Sequence, residues 1–230
     1  MPRKRVAIVQ SSYIPWKGYF DLIRSVDAFL LLDNVQFTRR DWRNRNRIKT
    51  RQGLAWLSIP VHTRGRYTQL IEDTTTSDPD WGRRHWQTIC ANYAKAPYFD
   101  HYADRFAELY ERSFTRLSEI NHAFTAAICE SLGITTPMAW SNAFETRNTP
   151  SERLIDLCLA VGGTDYLSGP SARDYLDVGA FEAAGIAVQF ADYSGYPEYA
   201  QPHGPFEHHV SALDLLFCTG PGALEFMKTL

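Results

Sequence analysis

The sequence predicts an α/β fold in which a parallel-rich, Rossmann-like sheet is interrupted by a central helical insertion. Three observations support this prediction. Short apolar runs alternate with segments of helical spacing at both ends of the chain. The segment at about residues 80–133 contains only patterns of helical spacing. The 230 residues are 44% hydrophobic and 13% aromatic, which is enough to bury a substantial core, so we predict a single α/β domain over residues 1–230.

The N-terminal elements alternate between short apolar runs and one segment of helical spacing. Residues 29–32 form a continuous apolar run of the type that a parallel sheet buries on both faces. Residues 18–26 are predicted to be helical, because apolar side chains recur every three residues. With a first strand at residues 6–9, these elements make a βαβ unit. Another strand is predicted at residues 56–61, and residues 68–72 are its candidate partner.

Three helices are predicted to make up the central insertion. Apolar side chains recur at helical spacing in each, as at Trp86, Cys90 and Tyr93 in the first. Pro97 separates the first two helices, and Gly133 follows the third as a C-terminal signal. The predicted ranges are 81–93, 98–110 and 117–132.

The α/β alternation returns after the insertion. Thr149 is predicted to cap a helix that has Pro150 in its first turn and that ends at the glycine pair 162–163. The remaining apolar runs and amphipathic segments continue the alternation to the end of the chain. Strands are predicted at residues 138–140, 164–167 and 186–190, and further helices at residues 178–184, 210–217 and 222–228.

Composition and charge exclude several classes of protein. The net charge of -2 and the isoelectric point near 6.4 argue against a general nucleic-acid-binding protein. The four cysteines are widely spaced and include no CxxC pair, so we expect reduced, buried thiols, no metal site and a cytoplasmic protein. Every apolar run is too short for a signal peptide or a membrane span, and no membrane partner is expected.

Short motifs that identify common enzyme classes are absent from the sequence. It contains no GxGxxG, GxxxxGK[ST], GxSxG or HExxH. This absence argues against a dinucleotide oxidoreductase, a P-loop enzyme, a serine hydrolase and a metalloprotease. The sequence therefore identifies no cofactor.

Residues 36–51 form the most basic segment of the chain, with seven basic side chains among the last thirteen residues. Next to a buried strand, such a cluster is either a solvated loop or a site for an anionic ligand, since arginine forks fit phosphate and carboxylate geometry. The interleaved Trp42 and Asn46 favour a site. We predict that its anion-binding residues are Arg39, Arg40, Arg43, Asn44 and Arg45, with Lys17 near them.

Polar residues stand at three predicted strand ends. Gln10, Asp33 and Ser168 each follow an apolar run, and open α/β sheets bind ligands at the carboxyl ends of their strands. Asp33 is a candidate to bind a ribose hydroxyl, hold Mg²⁺ or act as a base, or else it caps an Asx turn. Ser168 and Gly169 either let backbone N–H groups approach a phosphate or form a plain turn.

Two further groups of side chains are candidates for chemistry. His85 lies on the face of a predicted helix, where it either binds substrate or is buried for structural reasons. His208 and His209 follow Glu207, and a histidine–carboxylate pair supplies a general base near neutral pH, although helix capping and exposure explain the pattern as well. The aromatic loop 193–199 either packs over a small polar ligand or is a rigid surface loop.

Several segments spread over nearly the whole chain form a specific combination. They are 6–20 (VAIVQSSYIPWKGYF), 38–46 (TRRDWRNRN), 56–61 (WLSIPV), His85-Trp86 with Asn92-Tyr93, 166–169 (YLSG), 194–199 (SGYPEY) and 205–208 (PFEH). Together these segments resemble the WbqC-like protein family. The resemblance implies a biosynthetic transferase, similar to proteins encoded among genes for surface polysaccharides, O-antigens or other specialised metabolites. Val9 stands where many members have a histidine, so this chain must use another residue if that histidine is catalytic.

From the residues and the resemblance together, we expect an acyl or aminoacyl transferase that acts on a phosphate-bearing small molecule such as a nucleotide-linked amino sugar. Its site is expected in one cleft between the first βαβ unit and residues 193–208, roofed by the central helices. The predicted catalytic residues are His208, Glu198 and Asp33. The predicted substrate-binding residues are Gln10, Tyr13, Lys17, Arg39, Arg40, Arg43, Asn44, Arg45, His85, Ser168, Gly169 and Tyr199.

Three alternatives stay open. The basic segment is also typical of a site for a tRNA acceptor stem, which would serve as an aminoacyl donor or as a regulatory target, and a carrier-bound donor is compatible with it too. The N-terminal strand, proline loop and strand ending in Asp33 resemble a nucleotidyltransferase, but WKGY at residues 16–19 replaces the His-x-Gly-His signature of those enzymes. A non-catalytic sugar-binding or scaffold protein would need no general base.

Overall fold

A computed structural model describes residues 2–147 and 149–230. Its central element is a five-stranded, all-parallel sheet, which confirms the predicted α/β class. A two-stranded antiparallel hairpin lies apart from this sheet and consists of β3 and β4. The strands are β1 (Arg5–Val9), β2 (Ala28–Leu31), β3 (Arg45–Thr50), β4 (Gly53–Ser58), β5 (Met138–Trp140), β6 (Asp165–Ser168) and β7 (Ala187–Phe190).

The helices of the described residues include the three predicted for the central insertion. Gly133 follows the last of these with a φ of +67°, a left-handed conformation that favours glycine and ends the helix. No helix in the described part of the chain is long and apolar enough to cross a membrane. The helices are α1 (Lys17–Arg24), α2 (Trp81–Tyr93), α3 (Phe99–Glu111), α4 (Leu117–Ser131), α5 (Pro150–Ala160), α6 (Val178–Ala183) and α7 (Ala212–Thr219).

The strand order places a crevice between β1 and β6. The sheet runs β5-β2-β1-β6-β7, so the chain extends to one side of β1 through β2 and β5 and to the other side through β6 and β7. Val6 marks the centre, since it pairs with Ala28 of β2 and with Tyr166 of β6. Such a reversal is the topological switch point at which open α/β sheets bind ligands, beyond the carboxyl ends of the strands.

Successive residues of the central strands pack into two different apolar clusters. Ala7 and Phe29 belong to a cluster that includes side chains of α1, α7 and the central helices. Val6 and Ile8 belong to a second cluster, which includes side chains of α5 and α6 such as Phe181. The central strands are therefore buried on both faces, as their continuous apolar sequences predict.

Two expectations for the N-terminal half require correction. No strand is predicted in the basic segment, yet Arg45–Thr50 forms β3 and pairs along its length with β4. Residues 68–72 were expected to pair with the strand that became β4, but among the described residues Leu70 forms an isolated bridge with Gln36. The hairpin therefore takes its second strand from the basic segment.

The C-terminal half follows the prediction with two local differences. Thr149 occupies the N-cap position of α5, but its hydroxyl donates to the carboxylate of Glu152 and caps no backbone N–H. The terminal segment predicted as a helix at residues 222–228 is a 3₁₀ helix at Gly220–Phe226. Neither difference alters the arrangement of the sheet.

Gly82 lets α2 approach α3 closely, and we expect Gly82→Ala to destabilise the fold. A Cβ atom at this position would lie 2.2 Å from the backbone carbonyl oxygen of Tyr110. Overpacking of this kind costs about 1–3 kcal/mol of unfolding free energy, which urea denaturation measures. Gly179→Ala in α6 is the control, because its Cβ would meet only Asp177, at 3.5 Å. Equal stability of the two variants would contradict the expectation.

Candidate functional site

A cleft of about 710 Å³ lies at the switch point, beyond the carboxyl ends of β1 and β6, and we call it the switch-point cleft. It brings together Gln10, Arg43, Ser168 and Gly169, which come from three distant parts of the chain. Tyr193 adds an aromatic side chain to its lining. Two of the three strand ends selected from the sequence, Gln10 and Ser168, thus contribute to one concave surface together with one arginine of the basic segment.

A second cavity, of about 270 Å³, adjoins the cleft, and we call it the aromatic cavity. Its walls are mainly apolar and aromatic. Val9 and Arg43 line both spaces, so these two side chains form the boundary between them. The lining of the aromatic cavity consists of Val9, Ser12, Pro15, Trp16, Tyr19, Trp42, Arg43, Asn46 and His209.

Arg43 is a buried guanidinium whose hydrogen-bonding capacity is largely unused in the described part of the chain. The residue is 9% exposed, and its Nε and Nη1 atoms are buried without a hydrogen-bond partner. An oxygen of Asp41 lies 3.7 Å from Nε, as a long ion pair. Asn121 Nδ2 donates a 2.9 Å hydrogen bond to the Arg43 carbonyl and holds its backbone in place. A buried charge without hydrogen bonds is costly, so this side chain is suited to bind an anion.

Asp33 is buried at the end of β2 and ties the first loop to the sheet. Its Oδ1 accepts a 2.9 Å hydrogen bond from the Ser11 backbone N–H. Its Oδ2 is buried without a hydrogen-bond partner among the described residues. Burial raises the pKa of the Asp33 carboxyl, while the hydrogen bonds from Ser11 and the charge of Arg43 oppose that rise. Asp33 is not among the side chains that line either space.

Close packing fixes Trp16 in the wall of the aromatic cavity. Its ring contacts Tyr193 and Tyr196 edge-on, with centroids 5.1 and 5.7 Å apart, and lies 5.8 Å from the ring of His209. Gly18 leaves room for the indole, because a Cβ there would lie 2.3 Å from a Trp16 ring atom. The loop before α1 therefore holds this wall in one position.

Trp42 forms another wall of the cavity and also reaches the surface. It is 39% exposed, and its ring centroid lies 5.4 Å from that of Trp56 on β4. The Arg45 guanidinium lies 4.2 Å from the centre of the Trp56 ring. That of Arg47 lies 5.7 Å from Trp42 and 5.6 Å from Trp56. We call these four side chains the tryptophan–arginine array, and it borders the aromatic cavity through Trp42.

His209 is the histidine that lines the aromatic cavity. Its Nδ1 lies 3.2 Å from Glu207 Oε1, and its backbone N–H donates to the same oxygen at 2.8 Å. The hydrogen bond from that backbone N–H is the main cause that lowers the pKa of the Glu207 carboxyl. An ionised carboxylate can only accept, so it favours the tautomer with a proton on Nδ1 and leaves Nε2 as a proton acceptor.

His208 and Glu198, both predicted as catalytic, line neither space among the described residues. The His208 ring packs against Phe206 with centroids 4.6 Å apart, and its Nδ1 is buried without a hydrogen-bond partner. Burial and then the charge of Lys17 lower the pKa of His208, whereas Glu198 raises it. The structure thus places His209, and not His208, in the lining of the aromatic cavity.

The other residues predicted in the basic segment lie outside both spaces. Arg39 and Arg40 are exposed, and Arg39 donates to a backbone carbonyl of the loop after β4 at 2.5 Å. Arg45 donates to the carbonyl oxygen of Arg40. Asn44 Nδ2 donates to a backbone carbonyl just after β4 at 2.8 Å. These contacts fix the shape of the segment that carries Arg43.

Lys17 and Tyr199 hold the C-terminal loop against the body of the protein. Lys17 Nζ donates to the Pro197 carbonyl at 3.1 Å and lies 4.7 Å from the ring centre of Tyr196. Burial lowers the pKa of Lys17 to about 8. The Tyr199 hydroxyl donates to Asp214 Oδ1 at 2.7 Å, inside α7. Both side chains lie outside the linings of the two spaces.

Tyr13 and His85, also predicted to bind substrate, belong to one buried hydrogen-bonded chain. The Tyr13 hydroxyl lies 2.8 Å from His85 Nδ1 and 2.8 Å from the Tyr110 hydroxyl. His85 Nε2 lies 3.2 Å from the Ser58 carbonyl, which can only accept, so Nε2 carries the proton and Nδ1 accepts from Tyr13. Burial lowers the pKa of His85 to about 4. The imidazole is therefore neutral and links the first loop to α2.

We expect the buried hydrogen bonds of His85 to make the unfolding free energy of the protein depend on pH. In the unfolded state His85 takes up a proton near pH 6.5, whereas in the folded state it does so only near pH 4. Its contribution is therefore fully present above about pH 6.5 and is lost as the pH falls toward 4, by roughly 3 kcal/mol of unfolding free energy. Urea denaturation of the wild-type protein and of His85→Gln at intervals between pH 7 and 4 measures the difference. Parallel pH dependences of the two proteins would contradict it.

The fold and the candidate site define a class of protein. This is an α/β protein with a Rossmann-like strand order, whose site at the switch point joins a buried guanidinium to an aromatic cavity. In the described part of the chain, no group of three or more His, Cys, Asp and Glu side chains is placed to hold a metal ion. The charged and polar side chains that line the two spaces include Arg43, Arg153 and His209, together with the strand-end residues Gln10 and Ser168.

Comparison with known proteins identifies the family. The profile of the WbqC-like protein family matches residues 10–226, and the chain belongs to that family. It is similar to a protein of Mycobacterium tuberculosis (strain ATCC 25618 / H37Rv) that carries the name "Uncharacterized protein Rv1507c". The two are 48% identical over 226 residues, which cover 98% of each chain. No solved structure matches the chain.

Proposed function

We propose that this protein is a transferase that joins an acyl or aminoacyl group to the amine of a phosphate-bearing small molecule, with a nucleotide-linked amino sugar as the preferred acceptor. The observation that carries the proposal is the position of Arg43, which is buried, lacks hydrogen bonds at Nε and Nη1, and lines two adjoining spaces at the switch point. Two spaces that meet at one cation suit a reaction between two substrates, of which at least one is anionic.

The switch-point cleft suits the phosphate-bearing substrate. Its volume of about 710 Å³ lies within the range of small-molecule sites. Gln10 and Ser168 supply polar groups at the strand ends, and Arg43 and Arg153 supply positive charge. Each charge-assisted hydrogen bond contributes roughly 1.5–3 kcal/mol, so two or three of them support micromolar affinity when combined with polar contacts to the sugar.

The proposed transfer needs one base and one activated donor, a thioester or an ester of a carrier or an RNA. The amine nitrogen attacks the carbonyl carbon of the donor, a new C–N bond forms, and the C–S or C–O bond breaks. The leaving sulfur or oxygen keeps the bonding electron pair. The amine proton passes to Nε2 of His209, which Glu207 holds from the Nδ1 side. Asp33, Glu198 and His208 stay predictions as catalytic groups, and the lining of the aromatic cavity favours His209.

The proposed biological setting is the one that the resemblance implies. We infer a role in the biosynthesis of surface polysaccharides or specialised metabolites, in the cytoplasm, where nucleotide-linked sugars and reduced thiols coexist. The four cysteines are unpaired in the described structure, which is compatible with this setting.

Isothermal titration calorimetry with a panel of nucleotide sugars tests the proposal. The panel should pair each amino sugar with its hydroxyl counterpart, because the amine is the proposed acceptor. We expect micromolar binding of at least one member, and loss of that binding in Arg43→Ala. The proposal fails if no member binds, or if Arg43→Ala binds as tightly as the wild-type protein.

A nucleic-acid ligand is the second candidate function, and the tryptophan–arginine array is the observation that favours it. Trp42 and Trp56 are 39% and 45% exposed, and arginines lie over their rings. Exposed aromatic rings with interleaved cations are typical of surfaces on which single-stranded bases stack. RNA affinity at this surface should fall steeply between about 50 mM and about 200 mM salt. A gel shift without a salt-sensitive complex removes this candidate.

A further inference from the structure

We propose that the aromatic cavity is the acyl subsite and that the transferred group is a compact, apolar acyl group, preferably one with a planar ring. This inference rests on the proposed function and names the second substrate of the same site. The cavity is distinct in character from the cleft, because its lining is mostly aromatic and aliphatic while the polar strand ends lie in the cleft. An apolar group is therefore more favourably placed in the cavity than a hydrated sugar phosphate.

The walls of the cavity favour a flat group. Trp16 is held by its contacts to Tyr193 and Tyr196, and Trp42 is held from outside by Trp56. Aromatic rings prefer edge-on or offset contacts with other rings at centroid distances of about 4.5–7 Å. A planar ring in this cavity can make such contacts with rigid partners.

The polar groups of the cavity suit a carbonyl or carboxylate at one end of that group. Arg43 presents a guanidinium whose Nε and Nη1 make no hydrogen bond, and His209 presents an imidazole that Glu207 orients. A guanidinium donates charge-assisted hydrogen bonds to carboxylate oxygens, and it stabilises the oxygen of a carbonyl that gains negative charge during attack by an amine. The acyl carbon would then lie at the boundary with the cleft, where Arg43 lines both spaces.

The volume limits the size of the acyl group. A cavity of about 150 Å³ holds benzene, so the aromatic cavity, with a volume of about 270 Å³, has room for a ring and a short linker. It is too small for the whole of a nucleotide-linked sugar, which has several times as many atoms as benzene. The cavity therefore selects the transferred group and not the acceptor.

Binding of simple carboxylic acids tests this inference without knowledge of the natural donor. We would titrate phenylacetate, hexanoate and acetate and follow tryptophan fluorescence and heat of binding. Phenylacetate should bind most tightly and at least tenfold more tightly than acetate. Its neutral analogue 2-phenylethanol, which lacks the carboxylate, should bind at least tenfold more weakly than phenylacetate because Arg43 loses its partner.

Substitutions at the two tryptophans separate the cavity from the outer array. Trp42→Ala should weaken phenylacetate binding about tenfold, and Trp42→Phe should retain most of it, which also guards against misfolding of the alanine variant. Trp56→Ala is the comparison variant, because Trp56 is also exposed and contacts Trp42 from outside but does not line the cavity, so binding should fall by much less than in Trp42→Ala. Equal affinity for acetate and phenylacetate, or equal binding by Trp42→Ala and Trp56→Ala, would overturn the acyl subsite.

The same variants distinguish failure of this inference from failure of the proposed function. If nucleotide sugars bind in an Arg43-dependent way while aromatic acids do not bind, the acyl subsite is wrong and the phosphate site in the cleft stands. If aromatic acids bind in a Trp42-dependent way while no phosphate-bearing ligand binds, the acyl subsite stands and the proposed acceptor is wrong.

Discussion

Arg43→Ala is expected to weaken the binding of a phosphate-bearing ligand by roughly two to four orders of magnitude. The unfolding free energy of the unliganded protein should stay the same or rise. The loss follows from two charge-assisted hydrogen bonds at roughly 1.5–3 kcal/mol each. The stability follows from the state of the side chain without ligand, since a buried guanidinium with unused Nε and Nη1 is unfavourable in the folded protein. Calorimetric titration measures the affinity, and urea denaturation measures the unfolding free energy.

Two further variants sharpen this expectation. Arg43→Lys keeps the charge but lacks the planar fork, so its affinity should lie between those of the wild-type protein and the alanine variant. Arg64→Ala removes an equal charge from an exposed loop that lines neither space, and it should bind like the wild-type protein. If Arg43→Ala lowers stability strongly and leaves ligand affinity unchanged, Arg43 has a structural role and the anion site lies elsewhere.

The parallel sheet was predictable because its strands leave an unambiguous pattern. Strands such as β2 are short, continuous apolar runs between turn-forming residues, a form that is typical of strands buried on both faces. The strand ends Gln10 and Ser168 were predictable for the same reason, since parallel strands bring their carboxyl ends to one edge. This part of the site follows from topology alone.

The hairpin strand β3 was missed because the residues that alternate between buried and half-buried positions in its first part are mostly polar. Asn46 and Ile48 are buried, while Arg45 and Arg47 are half-buried against tryptophan rings. A buried asparagine in a run of arginines reads as a loop, and only tertiary contacts show that Asn46 Nδ2 donates to the carbonyl oxygens of residues 13 and 14. Burial alternates with a period of two over residues 45–48, but the hydrophobicity of the sequence does not follow that alternation.

The histidines show a second limit of the sequence. His208 and His209 lie in a segment without regular secondary structure between β7 and α7, so no periodicity tells which ring faces a cavity. For His85 the sequence favours a structural role over a role in catalysis, but it does not identify the partner, Tyr13, which lies 72 positions away in sequence. The direction of a side chain in a loop, and a contact between residues far apart in sequence, can be found only from the folded structure.

His209→Ala is expected to reduce the rate of amide formation by a factor of about 10²–10⁴, which is the usual contribution of a positioned general base. The reason is the arrangement of its ring, which lines the aromatic cavity and has its Nδ1 3.2 Å from Glu207 Oε1. Initial rates are measured by mass spectrometry of the amide product, with the acyl donor and amino sugar that the binding experiments select. The affinity for the phosphate-bearing ligand should change little, because the imidazole acts on the amine proton and does not contact the phosphate.

Added imidazole provides the test that separates catalysis from structure. The His209 side chain is 66% exposed, so a free imidazole can enter the space left by the alanine variant and should restore part of the rate. His62→Ala is the control, because His62 is exposed and lines neither space, and its rate should equal that of the wild-type protein. His208→Ala in parallel decides between the two neighbouring histidines. If it loses the rate while His209→Ala does not, His208 is the base, as the sequence alone suggested, and the proton path through Nε2 of His209 is wrong.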